Sequence, residues 1–332
     1  MSRNSAEALV LAGDIGGTKT NLGLFRLEGS RPHAEILETV SSREHASLED
    51  LIEGFIQRHS ARVSAACFAI AGPVLDRRSR TTNLPWVVSE DGLKSRFSWS
   101  RVSLLNDLAA TALGIPILEP DETVRLNRAQ AFPGEPIGLV APGTGLGQAL
   151  LVFQGGRPVP VASEGGHADF APTNDQEVQL WRWLARRYGH VSIERVVSGP
   201  GLEAIYGFLQ HSRSREDAPW LRERLQNEDP PRVIAEIGLQ GGDPLCIEAL
   251  NLFCRALANV SGNLALTALT RGGLYLGGGI PPKILPKLRE EGFLQTFCAK
   301  GRFRGLLESI PVQVVVNDRT ALLGAAQQAL SL

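Results

Sequence analysis

The sequence predicts an α/β protein of two lobes, and three observations carry that reading. Its 332 residues exceed the ~250–300 that a single core usually organises. Short apolar runs ending in glycine alternate with apolar residues at helical spacing, the pattern of strands and helices sharing a sheet. One layout of strand, Gly/Thr turn and strand also occurs twice, in "LVLAGDIGGTKTNLGLF" (residues 9–25) and "GLVAPGTGLGQALLVF" (residues 138–153). A shared layout without identity suggests duplicated lobes; two unrelated hairpins are the alternative.

The elements follow in order. "EALVLAGD" is a buried strand and "TNLGLFRL" a second, so the pair reads as a hairpin. In "SLEDLIEGFIQRHS", Leu48, Leu51, Ile52, Phe55 and Ile56 recur at helical spacing, with Ser47 as the N-cap. "AACFAIAGPV" is a strand ending at Gly72-Pro73, "RVSLLND" a further strand, and "LAATALGI" the helix after it. The polar, proline-rich "LEPDETVRLNRAQAFPGEP" reads as a crossover to the second lobe. Beyond the second hairpin, "QEVQLWRWLARRYG" is an amphipathic helix with Val178, Trp181, Leu184 and Tyr188 on its apolar side, and "LEAIYGFLQ" a helix opened by "SGPG". The charged "HSRSREDAPWLRERLQNEDPPR" reads as a solvated excursion. A long apolar helix (residues 243–270), the strand and glycine turn "GGLYLGGGI", the strand "IPVQVVVND" and the helix "RTALLGAAQQAL" complete the chain. The last helix is expected to return to the first lobe. The lobes are therefore set at 1–116 plus 317–332, and 117–316.

Composition narrows the function. A formal net charge of −1 advertises no basic surface for nucleic acid or acidic membrane. The four cysteines, Cys67, Cys246, Cys254 and Cys298, form no C-x-x-C pair and no zinc spacing. Each lies in an apolar segment and reads as a buried thiol, which suits a reducing cytosol. The opening residues carry no signal-peptide h-region, and no apolar run approaches the ~20 residues of a membrane span. A soluble intracellular protein is the expectation.

"GDIGGTKT" nearly matches the P-loop G-x-x-x-x-G-K-[ST], with Gly13, Lys19 and Thr20 in place and Thr18 where the second glycine belongs. A P-loop runs into a helix, whereas a strand pattern follows here. The surviving reading is a glycine hairpin turn, with Gly16 and Gly17 allowing positive φ and close backbone approach. Its amides, with the hydroxyl of Thr18 and in addition that of Thr20, are phosphate donors. Asp14 would repel phosphate without an intervening cation, which points to Mg²⁺ held through water. "APGTGLG" is a second such turn, and Gly277, Gly278 and Gly279 a third, suited to a base or ribose. Asn106 and Asp107 stand at a strand's C-terminal end, where open α/β sheets place ligands; Asp107 suits a general base, or else caps the following helix. Glu164 and His167, around a Gly-Gly turn, suit a polyol. Glu194 has no evident local role and is either solvent-facing or functional.

Together "GDIGGTKT", "AIAGPV" with "TNLPW", "LLNDLAA", "GTGLG", "EGGHADFAP", "HVSIERVVSGPGL", "GGLYLGGGI" and "KGRF" resemble, in order and over nearly the whole chain, the bacterial-type glucokinases, in the sugar kinase branch of the actin-like ATPase superfold. No cysteine-rich zinc motif follows His167, which separates the chain from the sister group of repressor and open-reading-frame sugar kinases. The resemblance implies a two-lobed α/β fold of the actin-like ATPase (ribonuclease H-like) kind with the active site in the cleft between lobes.

It also implies roles by residue. Gly13, Asp14, Ile15, Gly16, Gly17 and Thr18 match the first phosphate loop. Gly143, Thr144 and Gly145, with the match running on to Gly147, form the second. Gly277 to Gly279 match the adenosine-side turn, Asp107 the catalytic base, and Asn106, Glu164, His167 and Glu194 the remaining sugar ligands. The implied reaction moves the γ-phosphate of MgATP to the 6-hydroxyl of D-glucose, giving glucose 6-phosphate and ADP for glycolysis, in a cytoplasmic homodimer. Another hexose, a donor other than ATP, and a non-catalytic sugar or nucleotide sensor on the same fold stand as alternatives.

Overall fold

The structure is a computed structural model that describes residues 9–81 and 84–332. Glu7 and Ala8 of the first strand reading, the residues read for a leader before them, and Thr82 and Asn83 of "TNLPW" lie outside the described residues. In chain order the first elements are β1 (Leu9–Ile15), β2 (Lys19–Glu28), β3 (Arg31–Ser41), α1 (Leu48–His59) and β4 (Val63–Ile70). Then come β5 (Val74–Leu75), β6 (Arg78–Arg80), β7 (Val87–Ser89), α2 (Glu90–Phe97), β8 (Val102–Asn106), α3 (Asp107–Gly114) and β9 (Thr123–Arg125). The middle of the chain holds β10 (Ile137–Pro142), β11 (Leu146–Gln154), β12 (Arg157–Ser163), α4 (Asp175–Tyr188), α5 (Gly199–Arg213), α6 (Pro219–Asn227), α7 (Pro230–Gln240) and α8 (Pro244–Ala268). Last are β13 (Gly273–Leu276), α9 (Leu285–Leu288), α10 (Glu291–Phe297), α11 (Arg304–Glu308), β14 (Val312–Val315) and α12 (Thr320–Ser331).

The chain divides into two compact units, one of residues up to 119 with 157–162 and 317–332, the other of residues 120–156 and 163–316. Two main sheets run in the orders β3-β2-β1-β4-β8 and β12-β11-β10-β13-β14-β9. In the first, β1 is antiparallel to β2 and parallel to β4, which is parallel to β8. The second repeats this: β10 is antiparallel to β11 and parallel to β13, which is parallel to β14. Both hairpins read from the sequence are thus present, each opening a sheet of the same order.

In the first unit, alternation along the strands separates two faces. Leu11, Phe68 and Ile70 pack with Leu51, Ile52 and Phe55 of α1, whose N-cap Ser47 accepts from the Asp50 N–H. On the other face Val10, Ala12, Ala65, Cys67 and Ala69 meet α3 and the C-terminal helix α12. This face is built of small residues, so the helices come close. A Cβ at Gly324 would overlap the Ala110 carbonyl, and one at Gly114 the Thr320 carbonyl. The second unit's core packs Val140, Leu274, Leu276, Val312 and Val314 against α5, α7 and the long α8. Asp243 caps α8 by accepting from Leu245 N at 2.8 Å and Cys246 N at 3.2 Å.

Several readings are corrected. The polar crossover contains β9, which pairs antiparallel with β14, because Val124 has an apolar core to rest on. The charged excursion is largely helical: it holds α6, whose Leu221 is fully buried, and the start of α7. In α4 the buried residues are Glu177, Leu180 and Leu184, while Trp181 is exposed. Aromatic bulk drew the stripe one residue off, and a buried carboxylate, Glu177, sits where the true stripe begins. Strand β3, edge strand β12 and the small sheet of β5–β7 had no clear signal: charged residues interrupt the apolar alternation of β3, prolines that of β12, and β5–β7 are two or three residues long.

All four cysteines are buried and free, and no described helix is long and apolar enough to cross a membrane. Gly324→Ala is expected to lower folding stability by ~1–3 kcal/mol or more, since backbone must move to admit the methyl; urea unfolding of the purified chain measures it.

Candidate active site

In the first unit the site is built on the C-terminal edge of parallel strands. Ile15, Ile70 and Asn106 are level in the sheet register. Adjacent strands lie ~4.8 Å apart, which puts the backbone of Asn106 roughly 10 Å from the mouth of the β1–β2 turn. That turn closes through Gly16 N donating to Lys19 O at 3.0 Å. Gly16 has no left-handed φ, contrary to the expectation; glycine is required there because a Cβ would lie 2.8 Å from the Lys19 carbonyl oxygen. The turn is braced by Ser42, a residue the sequence did not single out. Its Oγ donates to Gly16 O at 2.8 Å and lies 2.9 Å from the Thr20 hydroxyl, and its N–H donates to Thr18 O. Thr20 is fully buried in that contact, so its hydroxyl is not a free phosphate donor. Thr18 is exposed, and among the described residues no acceptor takes the backbone N–H of Gly17 or Thr18. Gly17 is half-buried and Thr18 exposed, so these two N–H groups are donors open to a ligand.

At the end of β8, Asn106 rather than Asp107 caps α3. Its Oδ1 accepts from Leu108 N at 3.0 Å and Ala109 N at 3.2 Å, while its Nδ2 donates to Gly72 O at 3.1 Å. Asp107 is the first helical residue, its Oδ1 accepting from Leu108 N at 2.9 Å. The capping alternative for Asp107 therefore passes to its neighbour.

Asp14 sits on β1 one residue before the turn. Burial pushes its carboxyl above the ordinary value, the charge of Asp318 adds to the effect, and an Nδ2–H bond from Asn21 at 3.5 Å opposes it. Asn21 is itself held by the Thr39 hydroxyl at 2.7 Å, a polar row across β1, β2 and β3 in register. Asp318 was missed, although a signal existed: "VVVND" repeats the Asn-Asp of "SLLND" after the corresponding strand of the second sheet. Asn317 Oδ1 accepts from Arg319 N at 2.8 Å, the same local turn that Asn106 makes.

In the second unit the β10–β11 turn spans Gly143–Gly145. Gly143 N donates to Gly145 O at 2.8 Å, and no described acceptor takes the N–H of Thr144 or Gly145. The turn is gripped on both flanks by the segment "ERVVSGPG". On one side Gly199 N, opening α5, donates to Gly143 O at 2.8 Å. On the other, Glu194 Oε2 accepts from Leu146 N at 2.8 Å. Ser198 Oγ donates to Glu194 O at 2.7 Å, joining the two. Glu194, which had no evident role locally, is thus engaged with the turn.

The Glu164–His167 segment forms a 3-10 turn at Gly165–His167. It packs on the same residue, since a Cβ at Gly166 would overlap the Leu146 carbonyl. Glu164 and His167 are exposed, their Oε2 and Nε2 4.0 Å apart. The glycine turn after β13 lies against the end of β10: Gly277 N donates to Val140 O at 2.9 Å and Ile280 N to Pro142 O at 3.3 Å. Gly278 has φ 76° and would place a Cβ 2.5 Å from Pro142 O, so only glycine fits. The structure therefore gathers Gly143–Gly145, Glu164, His167, Glu194 and Gly277–Gly279 around one strand end, and Gly13–Thr18 with Asn106 and Asp107 along one sheet edge.

The sequence profile of the glucokinase family matches residues 11–331. A glucokinase of a Nostoc species is 41% identical over 96% of this chain and 98% of its own. One from a Synechocystis species is 42% identical over 95% and 96%. Among solved structures, a glucokinase from an Antarctic psychrotroph superposes with a TM-score of 0.86 at 30% identity, covering 98% of this chain and 99% of its own.

The Asp14 shift has a stability consequence. Between the ordinary value of 3.8 and the raised native value, the folded chain holds the proton more tightly than the unfolded one. Stability therefore falls as pH rises through that window, and the cost of the ionised carboxylate persists above it. Asp14→Asn is expected to raise the melting temperature at pH 7, with the gain shrinking as the pH is lowered toward 4; thermal melts across pH measure it.

Proposed function

The chain belongs to the glucokinase family, and from that premise we propose that it transfers the γ-phosphate of ATP to the 6-hydroxyl of D-glucose. Phosphoryl transfer asks a protein mainly for positioning and charge neutralisation. In this reading the unpaired amides at Gly17, Thr18, Thr144 and Gly145 take phosphate oxygens, with the Thr18 hydroxyl beside them, along loops that run from Gly13 and Gly143. Gly277–Gly279 admit the adenosine. Asn106, Glu164, His167 and Glu194 hold the sugar hydroxyls. Asp107 accepts the 6-hydroxyl proton as that oxygen bonds to the γ-phosphorus; the bond to the β-phosphate oxygen breaks and ADP leaves. Exclusion of water from the reacting groups limits wasteful hydrolysis.

The charge of Asp318 acts on Asp14, and a carboxylate at the phosphate turn suits Mg²⁺, which is commonly held by one or two carboxylates, waters and substrate phosphates. When bound, the ion neutralises charge on the phosphates, with Asp14 as the residue that would hold it, through water. We place the enzyme in the cytoplasm as a homodimer feeding glycolysis.

The observation that carries the reading is the turn in each unit whose amides meet no acceptor among the described residues, with Glu194 held on the second turn and Asp107 on the same sheet edge as the first. The test is an ADP-release assay with glucose, mannose and galactose crossed with ATP, ADP and polyphosphate. Turnover is expected with glucose and ATP, and the epimers should be rejected because they leave polar groups of the site unpaired. No turnover with any pair would favour a sensor, and equal kcat/KM for the three sugars would end the glucose assignment. Asp107→Asn is expected to retain glucose binding and lose turnover by ~10²–10⁴-fold; near-normal turnover would remove Asp107 as the base.

A further inference from the structure

We infer that Glu194 couples the sugar to the second phosphate turn, one carboxylate oxygen holding the turn and the other meeting the sugar. The inference rests on the function proposed above and adds to it a linkage between the two substrates within one unit. Glu194 Oε2 is spent on the Leu146 N–H at 2.8 Å, a charge-assisted bond of the stronger kind. Oε1 takes no hydrogen bond from the described residues, and Glu194 is only half-buried, so that oxygen keeps its acceptor capacity for a hydroxyl. The carboxylate is planar and rigid. A sugar hydroxyl bound at Oε1 fixes the plane, and the plane fixes Oε2, Leu146 N and the peptide of Gly145.

The packing agrees. A Cβ at Gly145 would stand 2.5 Å from Glu194 Oε2, whereas one at Gly143, two residues earlier in the same turn, meets nothing within 4 Å. The Glu194 main chain is tied in as well, since its carbonyl accepts from Ser198 Oγ and the adjoining Gly199 N–H holds Gly143 O. Sugar binding therefore restrains the turn that is to receive the phosphates, and by reciprocity an occupied turn tightens the sugar by the same factor.

Calorimetry on the full chain tests this, with glucose and with AMPPNP plus Mg²⁺ as the probes. In the wild type, saturating glucose is expected to tighten AMPPNP by ~5–150-fold, the usual range of coupling between sites. Without nucleotide, Gly145→Ala is expected to weaken glucose by about tenfold or more, a difference of ~1.4 kcal/mol, by pushing the carboxylate aside. Gly292→Ala, on α10 and outside the turn, should leave glucose affinity within about twofold, since a Cβ there meets nothing within 4 Å. Melting curves identify a variant that fails to fold. Should Gly145→Ala be one, Glu194→Gln replaces it, and AMPPNP affinity is then expected to become independent of glucose.

Equal glucose affinity in Gly145→Ala and wild type overturns the coupling. So do equal losses in both glycine variants, glucose-independent AMPPNP binding in the wild type, or intact coupling in Glu194→Gln. A wild type that binds no glucose at all overturns the proposed function instead, so the two failures are distinguishable.

Discussion

The arrangement of the second unit hangs on a single peptide, that of Leu146. In the hairpin register Leu146 stands opposite Pro142, whose carbonyl, like that of Val140, points to the β13 side of the sheet, so the two form a non-hydrogen-bonded pair and the polar groups of Leu146 face away from β10. Gly166 packs against the Leu146 carbonyl. The Leu146 N–H goes to Glu194, and the Pro142 carbonyl to Ile280 N. This non-hydrogen-bonded pair at the end of the hairpin thus leaves room for three separate segments, 164–167, 193–199 and 277–280, to dock at the same turn.

The two sheets share the order of five strands, and each fifth strand leads to an Asn-Asp pair. The units have diverged in what covers the sheets. In the first, alanine and glycine let α3 and α12 come close to the strands and to each other. In the second, larger side chains on β10, β13 and β14 meet the broad face of α8, and β9 extends the sheet by one strand. The turns have stayed alike, as tight reversals whose tip amides meet no acceptor among the described residues. A helix after the turn, as in a P-loop, would offer its N-terminal amides instead; a strand leaves only the turn itself.

Sequence and structure agree where the signal is local. The hairpins, the cap at Ser47, the long α8 and the strand ends at Asn106 and Gly277 all follow from spacing and turn chemistry. Readings failed where tertiary contact decided. Glu177 took the buried position expected of an apolar neighbour because the Thr173 N–H and hydroxyl satisfy one of its oxygens. Leu221 turned a charged stretch into a packed helix. Thr20 lost its proposed role because Ser42, 22 positions on, occupies its hydroxyl.

By itself the sequence determined the two glycine hairpins, the longer helices and the residue types that suit a sugar and its phosphate donor. These rest on local backbone preference and side-chain chemistry, which are legible over a few residues. Only the tertiary structure decided what each of those residues is free to do. It spent the Thr20 hydroxyl on Ser42 and brought Asp318 to bear on Asp14. It also divided Glu194 between a backbone N–H and an open oxygen. Those outcomes depend on partners tens to hundreds of positions away, and a hydrogen bond or a buried charge has no meaning until both partners are in place.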